Sequence, residues 1–170
     1  MKKLVLVLVL FFAFSGCSSE TNATPEDVAK AYKRDFSAAA KTVFKDMDTE
    51  MDIAKNGMSI NIVLDSPKEV SGMGIEIFDE HAKISYEGME QEIKTDSLPE
   101  GTPFLLLKDL FDELSDPEDF TLSTENEKLV AKGEDFSAVL SPEDFSLISA
   151  EFPFYETKFT FSNFAFAAAE

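Results

Sequence analysis

The chain has 170 residues, 44% of them apolar, with 17 Phe, a single Cys, and 15 Lys+Arg against 33 Asp+Glu for a formal charge of −18. So much apolar and aromatic surface excludes a disordered chain, and one Cys excludes both a disulfide framework and a Cys-rich zinc module. The acid excess excludes a nucleic-acid binder, which needs clustered Lys and Arg to meet phosphates.

Residues 1–16 read as an export leader. Lys2 and Lys3 form the basic start, Leu4 to Phe14 supply an uninterrupted apolar run, and Phe14-Ser15-Gly16-Cys17 sets small residues directly before the Cys. That run is shorter than the ~20 residues a membrane-crossing helix requires. Phe14 to Cys17 resembles the bacterial lipobox, and the resemblance implies a diacylglyceryl group on the Cys17 thiol with cleavage after Gly16. Two acyl chains at about 0.8 kcal/mol per buried CH₂ make the anchor effectively permanent. The predicted location is therefore the extracytoplasmic face of the cell membrane, held by lipid. Cleavage removes Lys2 and Lys3, leaving 13 basic against 33 acidic residues and a charge of −20. An anionic bilayer repels such a body, so the lipid alone holds it, and a basic protein is the partner its charge favours. Residues 17–24 read as the lipidated Cys and a polar tether, about 25 Å long if extended.

Thr24-Pro25-Glu26-Asp27 predicts a helix start, with Thr24 as N-cap, Pro25 at the first helical position and Asp27 returning the capping bond. Val28, Ala31, Tyr32, Phe36 and Ala39 recur at helical spacing, which predicts a buried stripe running as far as Ala39. The period then changes to two. Met47, Met51 and Ile53 alternate with acids, Asn56-Gly57 makes a turn, and Met58, Ile60, Ile62 and Leu64 alternate again, predicting a β-hairpin. Met73, Ile75, Ile77, Ile84 and Tyr86 continue the meander past Ser66-Pro67, with a turn near Asp79-Glu80.

A second helix starts at Thr102-Pro103 and ends at Asp116-Pro117. Phe104, Leu105, Leu106 and Leu107 occupy more than one stripe of it, so it must be covered on several sides, as by a concave sheet. Short strands follow around Leu122, Leu129, Ala138, Leu147 and Phe159, and the alternation slips phase after Phe161, predicting a bulge near Ser162-Asn163. The fold class is α+β, with nine or ten short strands, two helices and one domain over residues 25–170.

The chemistry of a catalyst is missing. His81, the only His and predicted to lie in a turn, leaves no Ser/His/Asp or Cys/His constellation and no His-based zinc site. Asp46-x-Asp48-x-Glu50 opens like a calcium loop but has Met51 where Gly is required and Gly57 where a bidentate Glu belongs. Those acids read as the wet face of a strand, and no enzyme activity, cofactor or metal is expected.

The order of elements carries a resemblance. The lipobox, the first helix, the meander with Ser66-Pro67 and Gly72-Met73-Gly74-Ile75, the Ile84 to Gly88 strand, the Pro103-led apolar helix and the closing Phe159 to Phe164 strand are similar to small clostridial-type lipoproteins of Gram-positive bacteria. Those resemble the LolA-like lipoprotein-carrier superfamily. The resemblance implies a half β-barrel, an antiparallel curved sheet packed around two helices, whose concave face in carriers holds acyl chains. Two functional readings follow. In the first, a lipid or acyl chain lies between sheet and helix, lined by Met73, Ile75, Phe104, Leu107, Phe111, Phe159 and Phe161. In the second, the cavity is filled, and an acidic outer face docks a basic protein, as in an accessory lipoprotein of sporulation or envelope assembly.

Overall fold

Thr24 opens the first helix as its spacing predicts: its hydroxyl accepts from the Asp27 amide, and the Asp27 carboxylate accepts from the Thr24 amide. The computed structural model describes residues 23–44 and 47–168. The predicted leader, Cys17, the predicted tether as far as residue 22, and Asp46 of the acidic run lie outside the described residues.

Helix α1 (Pro25–Tyr32) ends seven residues short of the predicted Ala39. The stretch that follows is strand β1 (Phe36–Phe44). Phe36, Ala38, Ala40 and Thr42 are buried while Ser37 and Lys41 are exposed, so the period is two. Alanine favours helix, but β1 sits at the middle of the sheet and pairs along its length with the next strand; tertiary pairing outweighs local preference.

Strands β2 (Met47–Asn56), β3 (Ser59–Ser66), β4 (Gly74–Phe78), β5 (His81–Tyr86) and β6 (Met89–Lys94) form a meander, and helix α2 (Pro103–Glu113) follows. Strands β7 (Thr121–Glu125), β8 (Lys128–Lys132), β9 (Ser137–Leu140), β10 (Leu147–Phe152) and β11 (Thr157–Phe166) come after it. Among the described residues the strands are eleven, not nine or ten, because β1 was hidden in the helical spacing. His81 opens β5 instead of lying in the turn, its ring stacked 6.0 Å from Phe78. Met47 and Met58, expected on the inward alternation, are exposed at strand ends beyond the reach of the core.

These eleven strands form one antiparallel sheet in the order β6-β5-β4-β3-β2-β1-β11-β10-β9-β8-β7, curved and unclosed, which is the half-barrel expected. Strands β6 and β7 are its two edges. The chain between them must therefore cross a face of the sheet, and α2 lies in that crossing. Leu106, Leu107, Leu110, Phe111 and Leu114 of the crossing are all buried, so α2 fills the bowl.

One inward row runs Ala38–Ile53–Ile62–Ile75–Ile84 across β1 to β5. On the other arm Ala131, Ala138 and Ala150 face inward beside Phe159, small residues that leave room for the large side chains of α2 in the same core. β11 carries an extra residue between Ser162 and Ala165 relative to β1, with Asn163 at a φ of 52°, where the phase slip predicts a bulge.

The wet side of α2 carries a charge conflict. Asp109 and Glu113 stand one turn apart, a like-charge pair, with Glu134 and Asp135 of the β8–β9 turn and Asp119 close by. Burial, then these carboxylates, push the Glu113 pKa up. Because the charged form is disfavoured in the fold, the penalty is present at neutral pH and is relieved as pH falls through the raised value toward the ordinary glutamate pKa of about 4.3. Glu113→Gln should therefore stabilise the protein at pH 7 by about 0.5 kcal/mol, and the gain should vanish below about pH 4. Thermal melts at both pH values check this; an equal gain at each would refute it.

Candidate functional site

An opening in the bowl lies where both helices end. The last turn of α1 presents the Tyr32 carbonyl, and the end of α2 presents Lys108, Asp112 and Ser115. Facing them are the inner end of β2 with Lys55, the β2–β3 turn with Gly57 and Met58, Ile60 of β3, Ile77 of β4, and Asp79-Glu80 of the β4–β5 turn. With Lys33 they enclose an open cavity of about 650 Å³. A neighbouring hollow of about 410 Å³ shares Asp79, Glu80 and Lys108 and extends along α2 to Leu105 and Thr95.

Local rules hold this wall in place. Asn56-Gly57 closes the β2–β3 hairpin, with Gly57 at a φ of 61°, and the Gly57 amide donates to Asp35 Oδ1 at 2.7 Å, tying the turn to the α1–β1 connection. Asp79 takes a φ of 53° in the β4–β5 turn. On α2, Lys108 Nζ lies 2.7 Å from Asp112 Oδ2, one helical turn on.

Lys55 is the unusual member. Met51, Ile53 and Lys55 share the inward phase of β2, so a cation stands where the core pattern calls for an apolar residue. It is 8% exposed. Its Nζ donates to the Tyr32 carbonyl at 2.6 Å, and Ser115 Oγ donates to the same carbonyl at 3.1 Å, so Lys55 and Ser115 cap the end of α1. Burial pulls the Lys55 pKa down, opposed by the charges of Asp35 and Asp112.

The seven apolar residues singled out in the sequence all gather in one cluster. Leu107, Phe111 and Phe159 are fully enclosed, Ile75 and Phe161 are buried, and Met73 and Phe104 are half-buried against the same core. None of the seven lines the 650 Å³ cavity. Sequence reasoning missed Lys33, Lys55, Lys108, Ile60 and Ile77 as a group. The available signal was Lys55 itself, a charge in phase with Met51 and Ile53. Among the described residues no helix is long and apolar enough to cross a membrane.

No family model and no curated protein matches the chain. Among solved structures it is similar to an uncharacterized conserved protein from Thermus thermophilus, with a TM-score of 0.54 at 9% identity over 84% of this chain and 85% of that one. It is also similar to a LolA superfamily protein from Nitrosomonas europaea, with a TM-score of 0.41 at 10% identity over 87% of this chain and 96% of that one. The first shares the fold of this chain.

Proposed function

We propose that this protein is a lipid-anchored, non-catalytic binding protein on the extracytoplasmic face of the membrane, and that the bowl of its half-barrel takes an apolar ligand, a lipid or acyl chain. The observation that carries the reading is the open cavity of about 650 Å³ between α2 and the sheet, with Ile60 and Ile77 in its lining. That volume is within the ~300–1,000 Å³ of small-molecule sites.

In this reading the ligand's chain lies over Ile60 and Ile77 in the opening of the bowl, with Ile75, Met73 and Phe104 in the core behind them. Leu107, Phe111, Phe159 and Phe161 form the packed backing against which it lies. Ile60 pairs with Ile77 and Ile62 with Ile75, so the floor of the opening continues into one inward apolar face of β3 and β4. Apolar contact alone supplies about 25 cal/mol per Å² buried, which suits a chain better than a compact polar solute.

Native mass spectrometry of the full chain, extracted from envelope membranes in mild detergent, tests the reading. The expected spectrum shows one bound lipid in addition to the covalent mass at Cys17. Spectra without it, together with no uptake of a fluorescent fatty-acid analogue, would overturn the proposal.

A further inference from the structure

The geometry points to a zwitterionic amphiphile as the ligand of the cavity at the end of α2, its anionic group on Lys55 and its amino group against Asp79 and Glu80. Resting on the ligand-binding reading above, this adds the class of polar head that the cavity selects.

Lys55 carries three N–H donors, and among the described residues its one hydrogen bond is to the Tyr32 carbonyl. No carboxylate stands within 4.0 Å of it among the described residues. A cation so deeply buried is costly unless an anion meets it. Lys33, exposed in the same lining, likewise has no carboxylate partner among the described residues. Lys108 differs, since Asp112 already neutralises it. An anionic group entering over Ile60 and Ile77 therefore finds two cations that no carboxylate touches among the described residues, Lys55 feeling only the more distant charges of Asp35 and Asp112.

A simple anion fits poorly. Apart from the Lys108–Asp112 pair, Asp79 and Glu80 line the same cavity, and the chain carries −18 overall. A bare phosphate or carboxylate would meet their repulsion as well as the attraction of Lys55 and Lys33. An amino group beside the anion converts the Asp79 and Glu80 side into a second attraction. A neutral head satisfies neither the lysines nor the carboxylates. The complementary ligand is an acyl chain ending in a phosphate with an adjacent amine.

The test is photolabelling of the full chain in maltoside micelles by three lipids with the same photoactivatable chain: lysophosphatidylethanolamine, lysophosphatidylglycerol and monoacylglycerol. The ethanolamine lipid should half-saturate at a concentration about tenfold lower than either other lipid, the scale of one charge-assisted hydrogen bond. Lys55→Met should raise its half-saturation about tenfold and leave monoacylglycerol unchanged. Exposed Lys33→Met should act in the same direction, and it keeps the test open if Lys55→Met does not fold. Asp79→Asn, which tolerates the turn's positive φ, should erase the advantage over the glycerol lipid. Equal labelling by ethanolamine lipid and monoacylglycerol would overturn the head-group assignment alone, as would equal labelling by the two phospholipids. No labelling by any of the three would instead overturn the ligand-binding reading beneath it.

Discussion

Phe111→Ala should lower the unfolding free energy by about 3–5 kcal/mol and the melting temperature by roughly 10 °C. Phe111 is fully enclosed, its ring centroid 4.8 Å from Phe36 at 66° and 6.5 Å from Tyr32 at 19°. Those two rings reach further: Phe36 stacks 4.9 Å from Phe164, and Tyr32 meets Phe166 edge-on at 5.3 Å. Removing the Phe111 ring thus takes away the α2 residue that joins the aromatic cluster of α1, β1 and β11, leaving a cavity its neighbours cannot close. Phe154→Ala is the control. That side chain is 80% exposed, so the same truncation should cost no more than about 0.5 kcal/mol. Chemical denaturation of both variants decides the matter, and a cost below about 1 kcal/mol for Phe111→Ala would mean that α2 is not packed into the bowl.

Cys17→Ala should abolish incorporation of labelled palmitate, and with it the membrane attachment of the mature protein. The expectation rests on the Phe14-Ser15-Gly16-Cys17 string and on the charge of the body it anchors. A body of charge −20, from 13 basic and 33 acidic residues, gains nothing from an anionic surface, whereas two acyl chains gain about 0.8 kcal/mol per buried CH₂. The wild-type protein should accordingly remain in the membrane pellet through a high-salt wash that strips charge-bound proteins. Palmitate labelling that persists in Cys17→Ala would place the lipid elsewhere or remove it from the account.

Both predictions bear on how the bowl is used. If Phe111 is as firmly packed as its contacts indicate, the inner core is support, and ligand chemistry is confined to the opening where the helices end. There the lining is mixed: Ile60 and Ile77 with Lys33, Lys55 and Lys108, and the carboxylates of Asp79, Glu80 and Asp112. The lipid anchor proposed at Cys17 would keep such an opening within reach of lipid heads, which is the setting the proposed ligand requires.

Elements whose signals are local were legible in the order of residues alone. The Thr24 capping box, the Asn56-Gly57 hairpin, the Pro103 helix start and the bulge after Ser162 all depend on residues within a few positions, and all four are found in the structure. Alternation in β2 to β5 and the multi-sided apolar surface of α2 sufficed for an open sheet around a helix. Long-range packing settled the rest. The Phe36 to Ala40 segment satisfies helical spacing as well as a period of two, and only its place between β2 and β11 makes it a strand. The cavity likewise brings together residues from position 33 to position 115, drawn from widely separated elements. No periodicity records such a meeting, because burial patterns report which way a side chain points and not which distant side chain it faces. Lys55 showed that something broke the inward pattern of β2; that Tyr32, Asp35 and Asp112 would stand near it was settled by the curvature of the sheet and the crossing of α2.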